Sequence, residues 1–475
     1  MGASPQQQIA CLALLNKNNL KNKIYDQANH GTILTDVLTQ GKWNSPGAAH
    51  LHTEKVGEAY RVGLHLSGNP NAGMPNPEGA SMPPGGSQGY GAAYFFDEDQ
   101  VTSLAQTLQA IRRASGEPSS FFNIIADEGL RIKDDIRRRR NRSLFSNGSG
   151  ILTTVRGTGG YSAGVIPVAD STKIEIGILV TFRHPTTAAL PTHYVTGTNG
   201  IGVAEPKLAI VTARDTTAAA NTITVNYYDL PAAGFVGSDG NAFASTDFDT
   251  LGVYFGNTQG RDVYGLLAIC GAGNPATNGY DPASIVNNIW GYKNCFGSID
   301  RGTVVGGGTN EYWQAYYLSL AGATPTITNH FMTLRGTMEE RDFSLRQERK
   351  MYVISDYTRW CEIVLDLEAR RITQQRTTIK DGQYDMIQWG PFTFGYDSDC
   401  PAGDTAGTGR FFGFTPDDMH ILETEPLHMD TETGPAIRVN SSFGLPTSVI
   451  AAYMRWAGQV LTGSCRTKFQ LNNAA

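Results

Sequence analysis

One pentapeptide has the spacing of a serine hydrolase motif: residues 160–164, GYSAG, match G-x-S-x-G. In hydrolases with this motif, a strained turn between a strand and a helix exposes the serine nucleophile. The residues that follow, VIPVADSTKIEIGILV, have the character of a strand, so the required helix is missing. We therefore interpret the segment as a glycine-rich connector. A β-rich serine hydrolase using Ser162 stays an alternative function.

Two other patterns resemble ligand sites. His50, His52 and Glu54 would share one face of a strand and imitate half of a metal site, but no other His or Cys pair has the spacing of partner ligands. Residues 306–308 are three glycines followed by Thr-Asn, not by the Lys-Ser or Lys-Thr of a phosphate loop. We interpret the first pattern as a polar strand edge and the second as a loop, and we expect no metal and no cofactor.

Residues 137–142 contain five arginines and form the strongest local charge feature. Such a run alone would suggest contacts with phosphates. On a helix, however, Asp134 and Asp135 would lie four residues before Arg138 and Arg139, which is the favourable order for surface ion pairs. Cations near the C-terminal end of a helix also suit its dipole. We favour a solvated or intersubunit helix end, and keep a nucleic-acid-binding protein as an alternative.

Composition limits the class of protein. The 475 residues exceed a typical domain roughly threefold, so we expect two or three packed units. Charged residues make up only 17%, the formal net charge is -6 and glycine occurs 54 times. This balance argues against a surface that wraps nucleic acid throughout and suits extensive burial against partners.

The cysteines and the start of the chain indicate the compartment. The six cysteines lack a CxxC pair or regular spacing, so we interpret them as free thiols: Cys11, Cys270, Cys295, Cys361, Cys400 and Cys465. Residues 9–15 are apolar but follow no basic residue, which predicts a short amphipathic helix and no secretory signal. No apolar run reaches about 18 residues. We expect a soluble protein that is cytoplasmic at synthesis.

A long hairpin arm is predicted near the N-terminus. Residues 58–67 alternate, with Tyr60, Val62 and Leu64 on one face, which is typical of a strand. Residues 68–89 hold six Gly and five Pro, and GYGAAYFF then becomes extended again. Two strands alone are marginal in water, and long loops in compact domains are usually functional or disordered. Such an arm needs a surface to lie on.

Helical spacing follows the arm. Apolar residues recur at this spacing through residues 97–114, including Val101, and again through residues 118–145. Pro118 fits a first helical turn and Asn147-Gly148 a stop, so the second helix spans about 28 residues, or roughly 40 Å. It is long enough to act as a spine.

The rest of the chain alternates between β-rich and mixed segments. Residues 151–262 are rich in Thr, Val, Gly and Ala and predict a separate β-rich unit, with strands at 173–182, 207–213 and 221–228. Beyond residue 325 a helix from Ile327 to Leu345, the strand MYVIS and a helix containing Trp360 are predicted. The tail returns to strands: RFFGF, a helix start at Thr415-Pro416-Asp417-Asp418, IRV, and an extended run over residues 448–461.

The order of these elements resembles the major capsid proteins of tailed bacteriophages with the Hong Kong 97-like fold. The family's extended E loop and spine helix are similar to GEAYRVGLHLSGNPNAG through GSQGYGAAYF and on to DEGLRIKDDIRRRRNRSLFSNGSGILT. Its core segments are similar to GLLAICGAGN, GSIDRG with EYWQAYYLS, VISDYTRWCEIVLDL, and YDSDCPAG leading to GRFFGFTPDDMHIL. Its closing strand is similar to MRWAGQVLTGSCRTKFQLNN. The resemblance covers residues 55–150 and 260–475.

The resemblance implies an α+β fold and a division of the chain. The expected segments are an N-terminal arm (1–55), the E loop (56–96), peripheral-domain helices with the spine helix (97–150), a β-rich insertion (151–262), the axial domain and core (263–400), and returning peripheral strands (401–475). It also implies a non-enzymatic subunit that forms pentamers and hexamers of itself in an icosahedral head around double-stranded DNA.

The resemblance also implies partners and one departure from the family. We expect a separate scaffolding protein, a portal, decoration proteins, non-specific contact with packaged DNA, and no membrane. The location is then the virion, and the host cytoplasm during assembly. Some members cross-link through an E-loop lysine, but residues 56–96 contain no lysine, so we predict no such cross-link. Another phage structural protein, of the tail or the decoration class, stays an alternative.

We expect the intersubunit contacts on the arm and on the end of the spine helix. The candidate residues are Glu58, Tyr60, Arg61, Met74, Glu78, Met82, Tyr90, Arg137, Arg138, Arg139, Arg140 and Arg142.

Overall fold

A computed structural model of the chain gives the fold. It describes residues 33–40, 53–56, 59–67, 89–107, 135–148, 150–155, 165–172, 174–183, 209–216, 221–229, 234–236, 251–256, 262–270, 295–296, 299–300, 313–320, 323–341, 350–369, 375–379, 384–401, 409–429, 437–442 and 445–472. Helices and several separate sheets are both present, so the chain is an α+β protein.

The first sheet is the stem of the predicted hairpin. Its antiparallel strands, in spatial order, are β1 (Thr53–Val56), β2 (Ala59–Ser67) and β3 (Gly89–Phe96). The strands predicted at residues 58–67 and at GYGAAYFF are confirmed, and Tyr60 and Val62 lie on the buried face as their alternation predicts. The predicted irregular tip lies outside the described residues.

The segment after the arm is a strand where a helix was predicted. β4 (Glu98–Thr107) pairs antiparallel with β22 (Leu445–Thr462) over its whole length, so the helix predicted over residues 97–114 is wrong for the part that is described. Val101, assigned to the apolar helix face, is 52% exposed. Local helical spacing is a weak preference, and a long ladder of main-chain hydrogen bonds with a distant strand overrides it.

Two helices lie close to this region. The first, α1, spans Ile33–Gln40, and the second, α2, is helical at residues 135–143. The second is the C-terminal part of the predicted spine helix, whose residues 118–134 lie outside the described part. The predicted stop is confirmed, because a turn follows α2 and Gly148 adopts a φ of +85°. A Cβ on Gly148 would lie 2.8 Å from the ring of Tyr264, so glycine also allows this close approach.

The β-rich segment predicted at residues 151–262 forms a seven-stranded sheet. Its strands are β5 (Ile151–Thr154), β6 (Val165–Pro167), β7 (Leu179–Arg183), β8 (Ala209–Asp215), β9 (Thr222–Asp229), β10 (Gly234–Val236) and β11 (Gly252–Phe255). The order is β10-β9-β8-β7-β11-β5, and β6 pairs with β9. The strands predicted at 207–213 and 221–228 are confirmed as β8 and β9, whereas the one predicted at 173–182 begins only at Leu179. The sheet has a hydrophobic core of its own, which includes Val180, Phe182 and Val253.

A second seven-stranded sheet forms the centre of the C-terminal half. Its strands are β14 (Tyr316–Ser319), β15 (Met351–Ser355), β16 (Gln375–Ile379), β17 (Tyr384–Trp389), β18 (Phe392–Tyr396), β19 (Arg410–Phe414) and β23 (Phe469–Asn472). The order is β14-β23-β19-β15-β18-β17-β16. Only the pairs β14–β23 and β15–β18 are parallel in this sheet as described. The strands predicted at MYVIS and RFFGF are confirmed.

Three short helical elements accompany this sheet. They are α3 (Leu266–Ile269), α4 (Met332–Arg341), which continues a π-helical turn at Ile327–Phe331, and α5 (Tyr357–Ala369). The turn and α4 confirm the helix predicted from Ile327 over its described part, and α5 confirms the helix around Trp360. The helix start predicted at Thr415 is only a single 3-10 turn, Pro416–Asp418, because a strand follows at once.

The tail forms a long ribbon around β22, which confirms the predicted extended run. β20 (Met419–Met429) and β21 (Ile437–Ser442) pair with β22 in the order β20-β22-β21, and β4 also pairs with it. A separate two-stranded unit consists of β12 (Cys295–Phe296) and β13 (Ile299–Asp300).

The cysteines of the described core are thiols. Cys270, Cys361, Cys400 and Cys465 form no disulfide bond, as predicted for these four. No helix in the described ranges is long and apolar enough to cross a membrane.

Candidate functional site

Side chains from several parts of the chain meet at the end of α2, where the predicted basic cluster lies. Residues four apart on a helix share a face, so Arg138 and Arg142 point to one side. Arg140 and Asn141 lie on other faces of the same turn and reach different neighbours. The end of α2 is therefore a junction that binds several elements at once.

The centre of the junction is a fully buried amide, Asn141. Its Nδ2 donates to both carboxylate oxygens of Asp397, each at 3.1 Å, and to Oδ2 of Asp399 at 2.9 Å. Its Oδ1 accepts from the backbone N–H and the hydroxyl of Thr35, both at 3.0 Å. Because a backbone N–H can only donate, these contacts fix the orientation of the amide. Asn141 thus joins α1, α2 and the loop after β18.

The Asp397 carboxyl is part of the same buried network. It accepts hydrogen bonds from the backbone N–H of Leu34 at 3.1 Å and of Asp399 at 2.9 Å. Burial, reinforced by the nearby Asp399 carboxyl, raises the pKa of Asp397 to about 6. The hydrogen bonds from Asp399, Leu34 and Asn141 oppose this rise. The raised pKa means that the Asp397 carboxyl titrates near pH 6.

One face of α2 binds the segment between β6 and β7 of the β-rich sheet. Glu175 Oε1 lies 2.9 Å from Nη1 of Arg138 and 3.5 Å from Nη2 of Arg142. Arg142 Nε also lies 3.7 Å from Oδ1 of Asp399. The two arginines are less than a quarter exposed, so the interpretation of a solvated helix end is wrong for them. They bind acids from distant segments of the same chain.

Arg139 makes a further contact with the β-rich sheet. Its guanidinium carbon lies 4.2 Å from the centre of the Phe255 ring, within the range of a cation–π contact. Burial lowers the pKa of the Arg139 guanidinium, while the charges of Asp135 and Glu175 oppose that change. Asp135 lies four residues before Arg139 on α2, and its charge acts on the guanidinium in the order predicted from the sequence.

Arg140 holds the opposite side of α2 to the ribbon. Its Nη1 donates to Oε1 of Glu423 at 2.8 Å, and Nε1 of Trp456 donates to the same oxygen at 2.9 Å. The guanidinium also lies 5.7 Å from the Trp456 ring. Both charged groups are less than one-fifth exposed, so the pair is partly shielded from water. Strands β20 and β22 are thereby fixed to the helix.

Two glutamines join the junction to the arm and to β4. Gln459 accepts from the backbone N–H of Tyr264 at 2.8 Å and donates to the carbonyl of Phe96 at 2.9 Å. Gln100 donates to the hydroxyl of Ser143 at 2.8 Å. The base of the hairpin arm is therefore connected by hydrogen bonds to the end of α2 and to β22.

A cavity of about 250 Å³ lies beside this junction. Its lining is contributed by α2, β4, the β-rich sheet and the loop after β18: Asp99, Gln100, Val101, Asp135, Ile136, Arg138, Arg139, Arg142, Ser143, Phe145, Ser146, Gly150, Ile151, Leu152, Glu175, Ile178, Phe255, Asp262, Leu267, Asp399 and Pro401. Acidic, basic and apolar side chains all contribute to this lining. Within the described ranges, no group of three His, Cys, Asp or Glu side chains is arranged to hold a metal ion.

The described part of the arm has one buried and one exposed face. Cross-strand pairs on the exposed face are Arg61 with Tyr94, Gly63 with Ala92, and His65 with Tyr90. The rings of His65 and Tyr90 lie 5.2 Å apart, and Tyr90 is 73% exposed. The exposed face thus combines a cation, small residues and aromatic rings.

The predicted site residues fall into three groups. Arg61 and Tyr90 lie on the exposed face of the arm, and Tyr60 is buried in the chain's own core. Arg138, Arg139, Arg140 and Arg142 belong to the junction, and Arg137 lies half-buried on the same helix. Met74, Glu78 and Met82 lie outside the described residues, as do Ser162, His50, His52 and residues 306–308. Glu58 also lies outside the described residues.

Asn141 and Asp397 are central to the junction, and the sequence reasoning did not single them out. Asn141 stands inside the arginine run, and its charged neighbours dominate the sequence pattern there. Asp397 and Asp399 belong to YDSDCPAG, one of the segments similar to the family's core. Both acids are polar side chains inside a segment predicted to belong to the core. Buried polar groups need hydrogen-bond partners, and this is the signal in the sequence that points to them.

Comparisons with known proteins give structural matches only. No protein-family model matches the chain, and no curated protein matches its sequence. The capsid of cyanophage A-1(L) matches at 10% identity and a TM-score of 0.48, covering 97% of this chain and 99% of that chain. The capsid of a native GTA particle matches at 9% and 0.40, covering 97% and 99%. The capsid of the Myoviridae phage XM1 matches at 10% and 0.39, covering 96% and 97%.

Proposed function

We propose that this chain is the major capsid protein of a tailed bacteriophage, a non-enzymatic subunit of the Hong Kong 97-like fold. In this proposal, copies of the chain form pentamers and hexamers that close into an icosahedral head around double-stranded DNA. In the proposed division, residues 97–150 and 401–475 belong to a peripheral domain, and residues 263–400 to the axial domain and core. The sequence segments quoted above, in their order along the chain, support the assignment.

The observation that carries the proposal is the hairpin stem of β2 and β3, which has one buried and one exposed face and is connected by hydrogen bonds to the end of α2. One face of β2 and β3 packs into the core that also contains α1 and Trp456, so the stem has a fixed direction. The opposite face presents Arg61, Tyr90 and Tyr94 outward. Tyrosine and arginine are the side chains that protein interfaces favour. A rigid stem with such a face is suited to lie across a neighbouring subunit.

The arginine run supports a structural role rather than a binding role for DNA. Arg138, Arg140 and Arg142 each have an acidic partner within the chain. A phosphate would have to displace these partners from partly buried sites. We propose that the end of α2 is the internal anchor of the subunit, with Tyr60 supporting the arm from its buried side. Among the residues that the structure describes, Arg61 and Tyr90 are then the candidates for intersubunit contact.

The proposed partners follow from the shell role. Copies of the chain bind each other head to tail, a contact that closes into rings when the rotation permits. A separate scaffolding protein, a portal and decoration proteins are proposed as further partners, and packaged DNA is contacted non-specifically. The subunit would be located in the virion, and in the host cytoplasm during assembly.

Assembly of the purified chain tests the proposal. We expect capsomeres or shells by sedimentation and electron microscopy when the chain is expressed alone or with its neighbouring genes. Tyr90→Ala should reduce assembly without unfolding the subunit, because this side chain is mostly exposed. Val101→Ala is the matched control, since Val101 is an exposed apolar residue on β4, outside the arm. A chain that stays monomeric in every condition would exclude the shell role.

A further inference from the structure

The β-rich sheet joins the rest of the chain along one edge. β5 is its edge strand, β11 pairs with β5, and the other strands extend away from this pair. The chain enters the sheet from α2 at β5 and leaves it after β11. The pairing of Tyr254 with Ile151 brings these two ends together. The whole sheet is therefore attached to the chain through two neighbouring connections.

A glycine stands at each of these connections. Gly150, just before β5, has a φ of +75°, and Gly256, just after β11, has a φ of +49°. Glycine reaches such backbone conformations without the cost that a side chain would add, so the chain can change direction at both points. A Cβ on Gly256 would meet no atom within 4 Å. A few residues at the ends of elements are sufficient to act as a hinge.

The sheet is built to move as one body. The residues of its hydrophobic cluster all lie between positions 152 and 253, so the core would stay intact if the sheet changed its orientation. The loop that carries Glu175 belongs to the same body, because the backbone N–H of Gly177 donates to the carbonyl of Val211 on β8 at 2.7 Å. Glu175 would therefore move with the sheet.

Charged side chains hold the sheet against α2. Glu175 Oε1 lies 2.9 Å from Arg138 and 3.5 Å from Arg142, and Arg139 lies over the ring of Phe255. The Glu175 side chain is 40% exposed, so water and salt screen its ion pairs. The cavity of about 250 Å³ is lined by residues of both the sheet and α2, and it interrupts close packing between them. The attachment therefore depends on charge.

We propose that the β-rich sheet is a hinged unit, which Arg138 and Arg142 clamp in one orientation through Glu175 and which swings about Gly150 and Gly256 when this clamp opens. A partly exposed ion pair changes such an equilibrium by a factor of about two to five, so loss of both pairs should raise the ratio of open to clamped molecules roughly tenfold. The inference concerns the single chain and does not depend on its assembly into a shell.

Distances between two spin labels on the full-length chain test the hinge. The labels are placed at Thr212 on β8 and at Gly63 on β2, which are both exposed, and the labelled protein is diluted with unlabelled chain so that only distances within one chain are measured. For Glu175→Lys we expect a second, broad set of distances, because the new ammonium group is repelled by Arg138 and Arg142. The parent chain should change in the same direction at about 1 M NaCl, where the Debye length falls to about 3 Å.

A matched variant and a second measurement keep the test decisive. Asp215→Lys makes the same change of charge at an exposed position of the same sheet and should keep the distances of the parent chain. Hydrogen exchange of peptides from β7 and β11 should be equal in all variants, since a sheet that swings keeps its core. Distances in Glu175→Lys that match those of the parent overturn the proposal.

A milder variant covers the case in which Glu175→Lys disturbs the sheet itself. If the β7 peptide loses protection in that variant, Glu175→Gln takes its place, because it removes the charge and keeps the size of the side chain. We expect Glu175→Gln to show the second set of distances with full protection of β7. The same distances as in the parent chain would then overturn the proposal.

Discussion

Replacement of Phe331 tests the packing of the central sheet most directly. Its ring is fully buried at the end of the π-helical turn and meets four other rings edge-on, with centres 5.1 Å away at Phe394, 5.4 Å at Phe411, 6.0 Å at Phe392 and 6.1 Å at Phe469. Each edge-on pair contributes about 0.5–1.5 kcal/mol beyond burial. Leucine keeps much of the apolar volume, and the four pairs share one ring, so they do not add fully. For Phe331→Leu we expect a loss of about 2 kcal/mol, and for Phe331→Ala about 3–5 kcal/mol.

The assay must report on one sheet at a time, because a chain with several sheets does not unfold in one step. Native-state hydrogen exchange of peptides from β15, β18 and β19 gives the free energy of opening of this sheet. A loss of about 2 kcal/mol corresponds to roughly thirtyfold lower protection. Peptides from β7 and β11 should not change, since their strands surround a separate hydrophobic core.

Met332→Ala provides the control at the next position. Met332 is 44% exposed, and we expect its replacement to change protection by less than about 0.5 kcal/mol. The reasoning is refuted if Phe331→Leu costs no more than the control. It is also refuted if the loss appears equally in the β7 and β11 peptides, because the two cores would then not be independent.

Three other predictions test the junction, a close backbone contact and the arm. Gly265→Ala should destabilise the chain by about 2 kcal/mol or more in thermal unfolding, because the new Cβ would lie 2.2 Å from the carbonyl oxygen of Leu144. Gly63→Ala is the control and should have almost no effect, since Gly63 lies on the open face of β2. A double-mutant cycle of Arg140→Ala and Glu423→Ala should give a coupling of about 1–2 kcal/mol in the protection of β20, and additive effects would show that the two groups are independent. Denaturing electrophoresis of mature particles should show one monomer band, since residues 56–96 hold no lysine, and a covalent ladder that maps to these residues would contradict this.

Most of the strands could be predicted from the sequence because their patterns are local. The alternation of Tyr60, Val62 and Leu64 describes a half-buried strand without knowledge of its partner, and RFFGF and MYVIS are short apolar runs typical of buried strands. The helix around Trp360 was recognised from the periodicity of a single segment. For such elements the local pattern and the tertiary structure agree, so local reasoning is sufficient.

The predictions are wrong where contact with a distant segment of the chain determines the local structure. β4 has apolar residues at helical spacing, but β22, more than 300 residues away, offers it a full ladder of hydrogen bonds. The arginines of α2 looked solvated because their partners Glu175, Asp399 and Glu423 are far away in the sequence. The role of Asn141 was missed for the same reason, since its contacts with Thr35 and Asp397 span 106 and 256 residues. A single sequence does not show which of its polar residues will meet.

The length of β22 has a mechanical consequence. Its N-terminal part, residues 445–452, pairs with β21, and its C-terminal part, residues 454–462, pairs with β20. On the opposite edge of β22, β4 pairs with residues 449–458 and so spans the boundary between β21 and β20. Hydrogen bonds in antiparallel sheets run across the strands. A pull along the ribbon therefore strains many of them simultaneously in shear, whereas a pull across it would open them one after another. In the proposed shell, load directed along β22 would be shared across three strands and passed through Glu423 and Trp456 into α2.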